Sequence, residues 1–188
     1  MISAIKITGV AAIAALGSFA VSAASGTDIK FGQLSIEHGL SHNCVQAVFH
    51  DSRGYLWFGT ENGLDQYDGY RIKVYFSEPG DSASLSHSFI RTICEDSSGA
   101  LWVGTERGLN RYSRKDGTFT RFLASPDDPH GLSDDKIVAM LVDDNGDLWI
   151  GTDMGGLYKL VLNTDASSAS VKPQIIPVSY THLTLPTN

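Results

Sequence analysis

Three segments of the chain repeat one pattern: DSRGYLWFGTENGLDQY at residues 51–67, DSSGALWVGTERGLNRY at 96–112 and DDNGDLWIGTDMGGLYKL at 143–160. The tryptophans of the segments are 45 and 47 residues apart: Trp57, Trp102 and Trp149. Leu-Ser pairs keep the same two intervals upstream, beginning at Leu40, Leu85 and Leu132. A repeat in the forties is typical of β-propeller blades or of α-solenoids.

The texture within each unit favours strands. Short runs rich in Val, Ile, Phe and Trp are separated by D-x-x-G turns, in which Asp bonds backbone amides and Gly supplies a positive φ. In the first unit the pattern predicts strands at residues 45–49, 56–60, 64–67 and 71–76. The second and third units repeat the scheme, with first strands at 90–94 and 137–141, but the last strand of the third unit, around 171–176, is weak. Four short strands per repeat describe a propeller blade.

The second strand of each unit predicts burial on both of its faces. Leu56 and Trp57 point to opposite faces of their strand, and both are large and apolar. Blades stacked face to face would bury both, so we interpret the three tryptophans as packing between blades, with ligand stacking as the alternative. A glycine follows two residues after each tryptophan (Gly59, Gly104 and Gly151), where a side chain would obstruct the neighbouring blade.

The predicted fold is an all-β propeller fragment over residues 25–177, with antiparallel four-stranded blades at about 41–80, 86–127 and 133–177. The segment from Ile29 to Phe31 is predicted as an N-terminal closing strand. Propellers have 4–8 blades, so we expect the chain to be part of a longer protein. Its two end blades would expose apolar faces, from which we expect self-association or partial unfolding.

Both termini are predicted to lie outside the propeller. Residues 1–24 carry one charge, Lys6, and an Ala/Ile/Leu/Val-rich run that ends in small residues, which favours a cleaved signal peptide over an uncleaved membrane anchor. Residues 178–188 are unrelated to the repeat, and we interpret them as a non-native or disordered tail. A cleaved export signal predicts that the mature chain lies in an oxidising compartment outside the inner membrane.

The charge of the chain limits its partners. Fourteen Lys and Arg against 21 Asp and Glu leave a net charge of −7. Nucleic acids and anionic membrane surfaces both require clustered positive charge, so neither is a predicted partner.

Histidines recur at equivalent positions of the repeat. His42 and His87 each stand 15 residues before their tryptophan, and Asp134 takes this place in the third unit. They precede the innermost strands, so they are candidate ligand-binding residues at one mouth of the channel. The alternative is that they are polar turn residues, as for the second equivalent pair, His38 and His130. No metal site is predicted, because neighbouring blades would space these side chains too widely for one small ion.

The two cysteines are predicted to be free and buried. Cys44 stands 13 residues before its tryptophan and Cys94 only eight. On neighbouring strands a five-residue offset corresponds to about 16 Å, which is too far for a disulfide bond.

Several motif elements recur in order: L-S-x-x-x-V, D-x-x-G-x-L-W-x-G-T and G-L-x-x-Y, with the lead-in FGQLSIEHGLSHN at residues 31–43. Together they resemble the two-component regulator propeller repeats. The resemblance implies the periplasmic sensor region of a membrane receptor, followed by a histidine kinase, hybrid kinase or diguanylate cyclase. It further implies a small-molecule or glycan ligand, downstream sensor-protein domains as partners and a receptor dimer.

Two other function classes remain open from the sequence. A secreted propeller lyase or hydrolase would use His42 and His87, and a propeller scaffold would serve protein–protein contact. The chain has no G-x-S-x-G motif and no coherent Ser/His/Asp set. We therefore predict no catalytic residues, no enzymatic activity for this segment and no cofactor.

Overall fold

A computed structural model of the chain describes residues 31–125, 127–128, 131–162 and 174–177. The predicted signal peptide, Ile29, His130 and the predicted tail at 178–188 lie outside these residues. Phe31, the last residue of the predicted closing strand, is in no strand and is 94% exposed. Over the described stretches, no helix has the length and apolar character needed to cross a membrane.

The chain forms three antiparallel four-stranded sheets, each built from consecutive strands. Blade 1 contains β1 (Val45–His50), β2 (Leu56–Thr60), β3 (Gly63–Tyr67) and β4 (Ile72–Tyr75). Blade 2 contains β5 (Ile90–Glu95), β6 (Leu101–Thr105), β7 (Gly108–Ser113) and β8 (Thr118–Phe122). Blade 3 contains β9 (Ile137–Val142), β10 (Leu148–Thr152), β11 (Leu157–Val161) and β12 (Gln174–Pro177). A single 3₁₀ turn, Ile36–His38, precedes the first blade in the described residues.

The blades stack side by side through their first strands. β5 contacts β1 on one side and β9 on the other, so these three strands lie next to the propeller axis and the fourth strands lie at the rim. We call the face of a blade that meets the preceding blade its leading face, and the opposite face its trailing face. The predicted all-β propeller architecture of three four-stranded blades is confirmed.

Each D-x-x-G turn joins the first strand of a blade to the second. In blade 1, Asp51 Oδ1 accepts hydrogen bonds from the amides of Arg53 and Tyr55 at 3.0 and 2.9 Å. Gly54 has a φ of +89°, which a side chain would strain. The turn aspartate also holds the tryptophan of its blade, because Asp51 Oδ2 accepts from the Trp57 indole at 2.9 Å. The same bond recurs at 2.8 Å in the other two blades, from Trp102 to Asp96 and from Trp149 to Asp143.

The joint between blades 1 and 2 is aromatic. Trp57 is fully buried and meets Tyr112 of blade 2 edge-on, with ring centroids 5.4 Å apart. The hydroxyls of Tyr75 and Tyr112 hydrogen-bond across the joint at 2.6 Å. These contacts confirm the interpretation of the tryptophans as packing between blades for Trp57; Trp102, 1% exposed, lies in the equivalent cluster between blades 2 and 3.

Close approach at each joint depends on a glycine. A Cβ on Gly59 would lie 2.7 Å from Ile90 Cγ2 of the next blade, and one on Gly104 would lie 2.7 Å from Ile137 Cγ2. The prediction that a side chain would obstruct the next blade is confirmed at these two positions. Gly151 is different, because its nearest neighbour would be Ala139 of its own blade, at 3.6 Å.

A β-bulge makes this packing possible. In the first strand of blade 2, the register shifts between Ile90 and Thr92. Residues two apart in a regular strand share a face, and the extra residue of a bulge reverses that relation. Ile90 therefore reaches Gly59 of the preceding blade, whereas the Thr92 methyl lies near Gly104 on the trailing face. The other two first strands shift at the corresponding place.

The recurring Leu-Ser pair ties each inter-blade loop to the blade that follows it. In blade 1, Ser41 donates its amide and its hydroxyl to Asp65 Oδ2, both at 3.0 Å, and its hydroxyl also bonds Thr60 at 2.7 Å. In blade 2, the Ser86 amide donates to Asn110 Oδ1 at 2.9 Å, and the Ser86 hydroxyl accepts from Asn110 Nδ2 at 2.8 Å and bonds Thr105 at 3.1 Å. The serine and the threonine of the Gly-Thr pair therefore recur for a structural reason.

Candidate functional site

The loops at which the innermost strands begin form one polar surface, which we call the axial mouth. It comprises the turn residues His42, His87 and Asp134 together with the acids of the β2–β3, β6–β7 and β10–β11 turns, Glu61, Glu106 and Asp153. Backbone bonds hold the two sets together within each blade. The amide of Glu61 donates to the Cys44 carbonyl at 3.2 Å, and Glu106 and Asp153 donate in the same way to Phe89 and Lys136.

The structure places the three predicted ligand-binding residues in equivalent turns. His42 Nδ1 accepts from the Cys44 amide at 3.1 Å, and His87 Nδ1 accepts from the Phe89 amide at 3.0 Å. Asp134 Oδ1 accepts from the Lys136 amide at 3.1 Å, so all three side chains cap the residue two positions further on. All three are half-buried. Capping uses one atom of each side chain and leaves the other ring nitrogen of each histidine without a partner among the described residues.

The second histidine pair has one described member. His38 Nδ1 lies 2.9 Å from the hydroxyl of Ser35 and accepts the Ser35 amide at 3.2 Å, which closes the 3₁₀ turn. His38 therefore acts as a polar turn residue, which is the alternative to ligand binding that the sequence left open for these histidines.

Sequence reasoning missed the acidic residues of the mouth. Glu61, Glu106 and Asp153 each stand four residues after the tryptophan of their blade, which is a signal as regular as that of the histidines. Each one pairs with a side chain near the start of the first strand. Glu61 accepts from Gln46 and from the Cys44 thiol, both at 3.0 Å.

In the other two blades the mouth acids form ion pairs. Glu106 pairs with Arg91, and Asp153 lies 3.1 Å from Lys136. Lys136 Nζ also lies 4.0 Å from Glu106 Oε2, so charges of blades 2 and 3 meet across the joint. Hydrogen bonds from the amides of Met154 and Lys136 lower the pKa of Asp134, which keeps this carboxylate ionised at neutral pH.

The chemistry that this surface offers is hydrogen bonding. Carboxylates, the Gln46 amide, imidazoles and the cations Arg91 and Lys136 lie at this surface, and several of them are paired with one another. In the part of the chain that the structure describes, no group of three or more His, Cys, Asp or Glu side chains is placed to hold a metal ion.

The cysteines are both free in the structure. Cys94 is buried as predicted, but the prediction of burial is wrong for Cys44, which is half-exposed because it precedes β1 at the mouth rather than lying inside a blade. The hydrogen bond to Glu61, together with burial, raises the pKa of the Cys44 thiol. Burial raises the pKa of Cys94 to about 12.

The opposite edge of the blades carries a groove of about 290 Å³ between the turns of blades 1 and 2. Four cations line it: Arg53, Arg111, Arg114 and Lys115. Arg114 is committed to structure, because its guanidinium lies 2.7 Å from Asp51 Oδ2 and 2.9 Å from Glu95 Oε1. This edge therefore holds two blades together through a buried ion-pair network.

The three equivalent blades correspond to three matches to a known family of repeats. The two-component regulator propeller model matches residues 39–62, 84–107 and 131–154, one match per blade. The three blades contain two-component regulator propeller repeats. In each of these repeats the match covers the Leu-Ser pair, the first strand, the D-x-x-G turn and the tryptophan strand.

Relatives of these propeller repeats are parts of signalling proteins. Histidine kinase P4 of Formosa agariphila is 36% identical over 61 residues, which are 32% of this chain and 4% of that protein. The extracellular domain of the hybrid two component system BT3049 from B. thetaiotaomicron aligns with a TM-score of 0.64 at 31% identity, over 69% of this chain and 18% of that one. For the extracellular domain of BT4673 the TM-score is 0.52 at 30% identity, over 62% and 16%. The chain thus spans a small part of the length of each.

Proposed function

We propose that the chain is the ligand-sensing propeller portion of a transmembrane two-component receptor, exported to the periplasm and read out by a domain beyond the propeller. The observation that carries this proposal is the match of all three blades to propeller repeats whose solved relatives are extracellular domains of hybrid two-component systems. The segment itself has a binding role and no catalytic one.

The axial mouth is the proposed ligand site. Three blades bring equivalent side chains to one surface, so a ligand there touches residues from several blades and binding changes how the blades sit together. The alternating carboxylates, imidazoles and cations suit a small polar molecule or a glycan, whose hydroxyls both donate and accept hydrogen bonds.

Signal transfer requires partners outside the propeller. We propose that the propeller passes ligand occupancy to downstream domains of the same receptor, within a receptor dimer anchored in the inner membrane. The net charge of −7 supports a partner other than nucleic acid.

Export is tested on the chain itself. Expression in a Gram-negative host and mass spectrometry of the N-terminus should show a mature chain that begins at Ala24 or Ser25, recovered from the periplasmic fraction. An intact Met1 in the cytoplasmic fraction would contradict export, and an intact Met1 in the membrane fraction would support the uncleaved anchor.

Ligand binding is tested with variants that keep the turn but lose the imidazole. His42→Asn and His87→Asn retain a side-chain oxygen able to cap the amide two residues on, as Asp134 does. We expect the purified chain to bind a member of an oligosaccharide library in calorimetry, and each variant to bind it at least about tenfold more weakly with an unchanged melting temperature.

The matched control is His50→Asn, because His50 is exposed at the far end of β1. Binding that survives in both mouth variants would show that His42 and His87 are turn caps alone. If no oligosaccharide binds the purified chain, the glycan part of the proposal is overturned.

A further inference from the structure

The groove between the turns of blades 1 and 2 holds more cations than its carboxylates pair with. Arg114 takes up the two nearby acids, because its guanidinium binds both Asp51 and Glu95. Three further cations line the groove, are exposed and have no carboxylate partner among the described residues: Arg53, Arg111 and Lys115. Unpaired positive charge is thus concentrated here, although the chain as a whole has a net charge of −7.

Blade 3 carries an equivalent cation and supplies it with a carboxylate. Arg111 lies opposite Trp102 in the β6–β7 ladder, and Lys159 lies opposite Trp149 in the β10–β11 ladder. Each cation stands over the ring of its tryptophan, at 5.7 and 5.3 Å from the ring centroid. Lys159 Nζ then contacts Asp147 Oδ2 at 2.7 Å. The two cations therefore occupy the same place in their blades, and the one in blade 3 has a counter-ion from its own turn.

In blade 2 an alanine stands where blade 3 has this carboxylate. The amides of Ala100 and Asp147 each donate at 3.0 Å to the turn aspartate of their blade, so the two residues occupy the same point of the D-x-x-G turn. Ala100 also lines the groove. Blade 1 has the uncharged pair Tyr55 and Gln66 at the two positions. Among the three blades, blade 2 is therefore the one in which the cation, Arg111, lacks the matching carboxylate.

The size and lining of the groove suit a small molecule rather than a bare ion. Its volume of about 290 Å³ is close to the lower end of the range for small-molecule sites, about 300–1,000 Å³. Ser98 and Thr120 add hydroxyl groups to the lining. Arg53 reaches the groove from the turn of blade 1, whereas Arg111 and Lys115 belong to blade 2. A guanidinium can donate two parallel N–H bonds to one carboxylate, so separate cations can each receive a carboxylate of the same ligand.

We propose that this groove binds a small molecule with two or more carboxylates. One carboxylate pairs with Arg111, at the place that Asp147 fills in blade 3, and Arg53 and Lys115 receive the rest of the negative charge. A carboxylate is favoured over a phosphate because a carboxylate is the group that occupies the equivalent place. The described chain builds both sides of this joint, and the groove lies on the edge opposite the axial mouth. The inference therefore does not depend on the proposed sensory role.

The test is calorimetry of the purified chain with citrate and succinate, in chloride buffer of constant ionic strength. We expect binding of these two probes, and binding of acetate and inorganic phosphate at least about tenfold weaker than that of citrate. Arg111→Gln should weaken citrate binding at least about tenfold, because it removes the guanidinium and leaves an amide, as at Gln66 of blade 1. Ala100→Asp should weaken it as much, because the new carboxylate pairs with Arg111 as Asp147 does with Lys159.

Arg107→Gln is the matched control, since Arg107 is an exposed cation of the β6–β7 turn at the axial mouth. It removes the same charge and should change citrate affinity by less than about twofold. Tryptophan fluorescence verifies that every variant is folded. The proposal is overturned if neither citrate nor succinate binds, or if phosphate binds as tightly as citrate. Citrate binding that survives Arg111→Gln or Ala100→Asp, or that falls equally in Arg107→Gln, would overturn it too.

Discussion

The indole N–H of Trp57 donates to Asp51 Oδ2 at 2.9 Å, and Asp51 thereby joins the turn of a blade to the residue that packs against the next blade. The other oxygen of the same carboxylate accepts two turn amides. Burial raises the pKa of Asp51, but the hydrogen bonds from Trp57, Arg114 and Tyr55 outweigh it, and the net shift is downward. The Asp and the Trp of each repeat therefore form one hydrogen-bonded unit, which explains why they recur together.

Replacing a tryptophan by phenylalanine isolates this hydrogen bond. Trp102→Phe leaves Asp96 Oδ2 without a described partner, whereas Trp57→Phe leaves Asp51 Oδ2 bonded to Arg114. An unsatisfied buried acceptor costs about 1–3 kcal/mol, so Trp102→Phe should lower the free energy of unfolding by about 2 kcal/mol and Trp57→Phe by about half of that. Urea denaturation measures both. Equal losses would show that the Arg114 contact does not compensate.

The inter-blade glycines should differ in their tolerance of a methyl group. In Gly104→Ala the new Cβ would approach the methyls of Ile137 and Thr92 to 2.7 Å, which predicts overpacking that costs about 1–3 kcal/mol. In Gly151→Ala the nearest atom is 3.6 Å away, and stability should change little. Thermal unfolding at low protein concentration tests the pair. A double mutant of Gly104→Ala with Ile137→Ala should show coupling, and additive losses would contradict the contact.

One buried carboxylate oxygen is unsatisfied in the described residues, Oδ1 of Asp65. The equivalent residue of blade 2 is Asn110, whose amide nitrogen donates to Ser86 Oγ at 2.8 Å and to the Val103 carbonyl at 3.3 Å. Asp65→Asn should make the same bonds and raise the free energy of unfolding by about 1–2 kcal/mol at neutral pH. The reverse change, Asn110→Asp, should destabilise by a similar amount.

The advantage of Asp65→Asn should depend on pH. Burial raises the pKa of Asp65 above its ordinary value of 3.8. The ionised form therefore destabilises the fold above the folded pKa, and protonation relieves this as the pH falls toward 4. The stability gap between variant and unaltered chain should be widest at neutral pH and should narrow in acid. A gap that is constant over this range would show that the pKa of Asp65 is the same in the folded and the unfolded chain, and would contradict the effect of burial.

Thiol labelling distinguishes the two cysteines. Cys44 is half-exposed and should react slowly in the native chain, because its pKa is raised by the hydrogen bond to Glu61. Cys94 is buried, with its pKa raised to about 12, and should react only after denaturation. Mass spectrometry should count one label in the native chain and two in the denatured, unreduced chain. A blocked pair after denaturation would indicate a disulfide and contradict the blade register.

The repeat in the sequence predicts the blades closely because it encodes both strand length and turn chemistry. The first strand of blade 1, for example, was expected at 45–49 and is observed at Val45–His50. The side-chain bonds between repeats are harder to predict, because they join residues that are distant in the chain. The Tyr75–Tyr112 and Arg114–Asp51 contacts, for example, depend on how blade 2 packs on blade 1.

The candidate site was predicted only in part for a related reason. Equivalent spacing brought His42, His87 and Asp134 to one edge, as expected from a ring of blades. Their capping role depends on local backbone geometry that spacing does not specify. The mouth acids, among them Glu61, escaped notice because an acidic residue in a turn reads as ordinary solvated surface.

The most direct test of the stacked-blade account is an NMR measurement on methyl-labelled chain. The structure predicts nuclear Overhauser contacts from the Gly59 α-protons to the Ile90 γ2-methyl, and from the Gly104 α-protons to the Ile137 γ2-methyl. Both contacts join different blades, and they arise only when successive blades are stacked with a glycine beneath an isoleucine. Detecting both supports the account, whereas folded chain that lacks both contacts would contradict it.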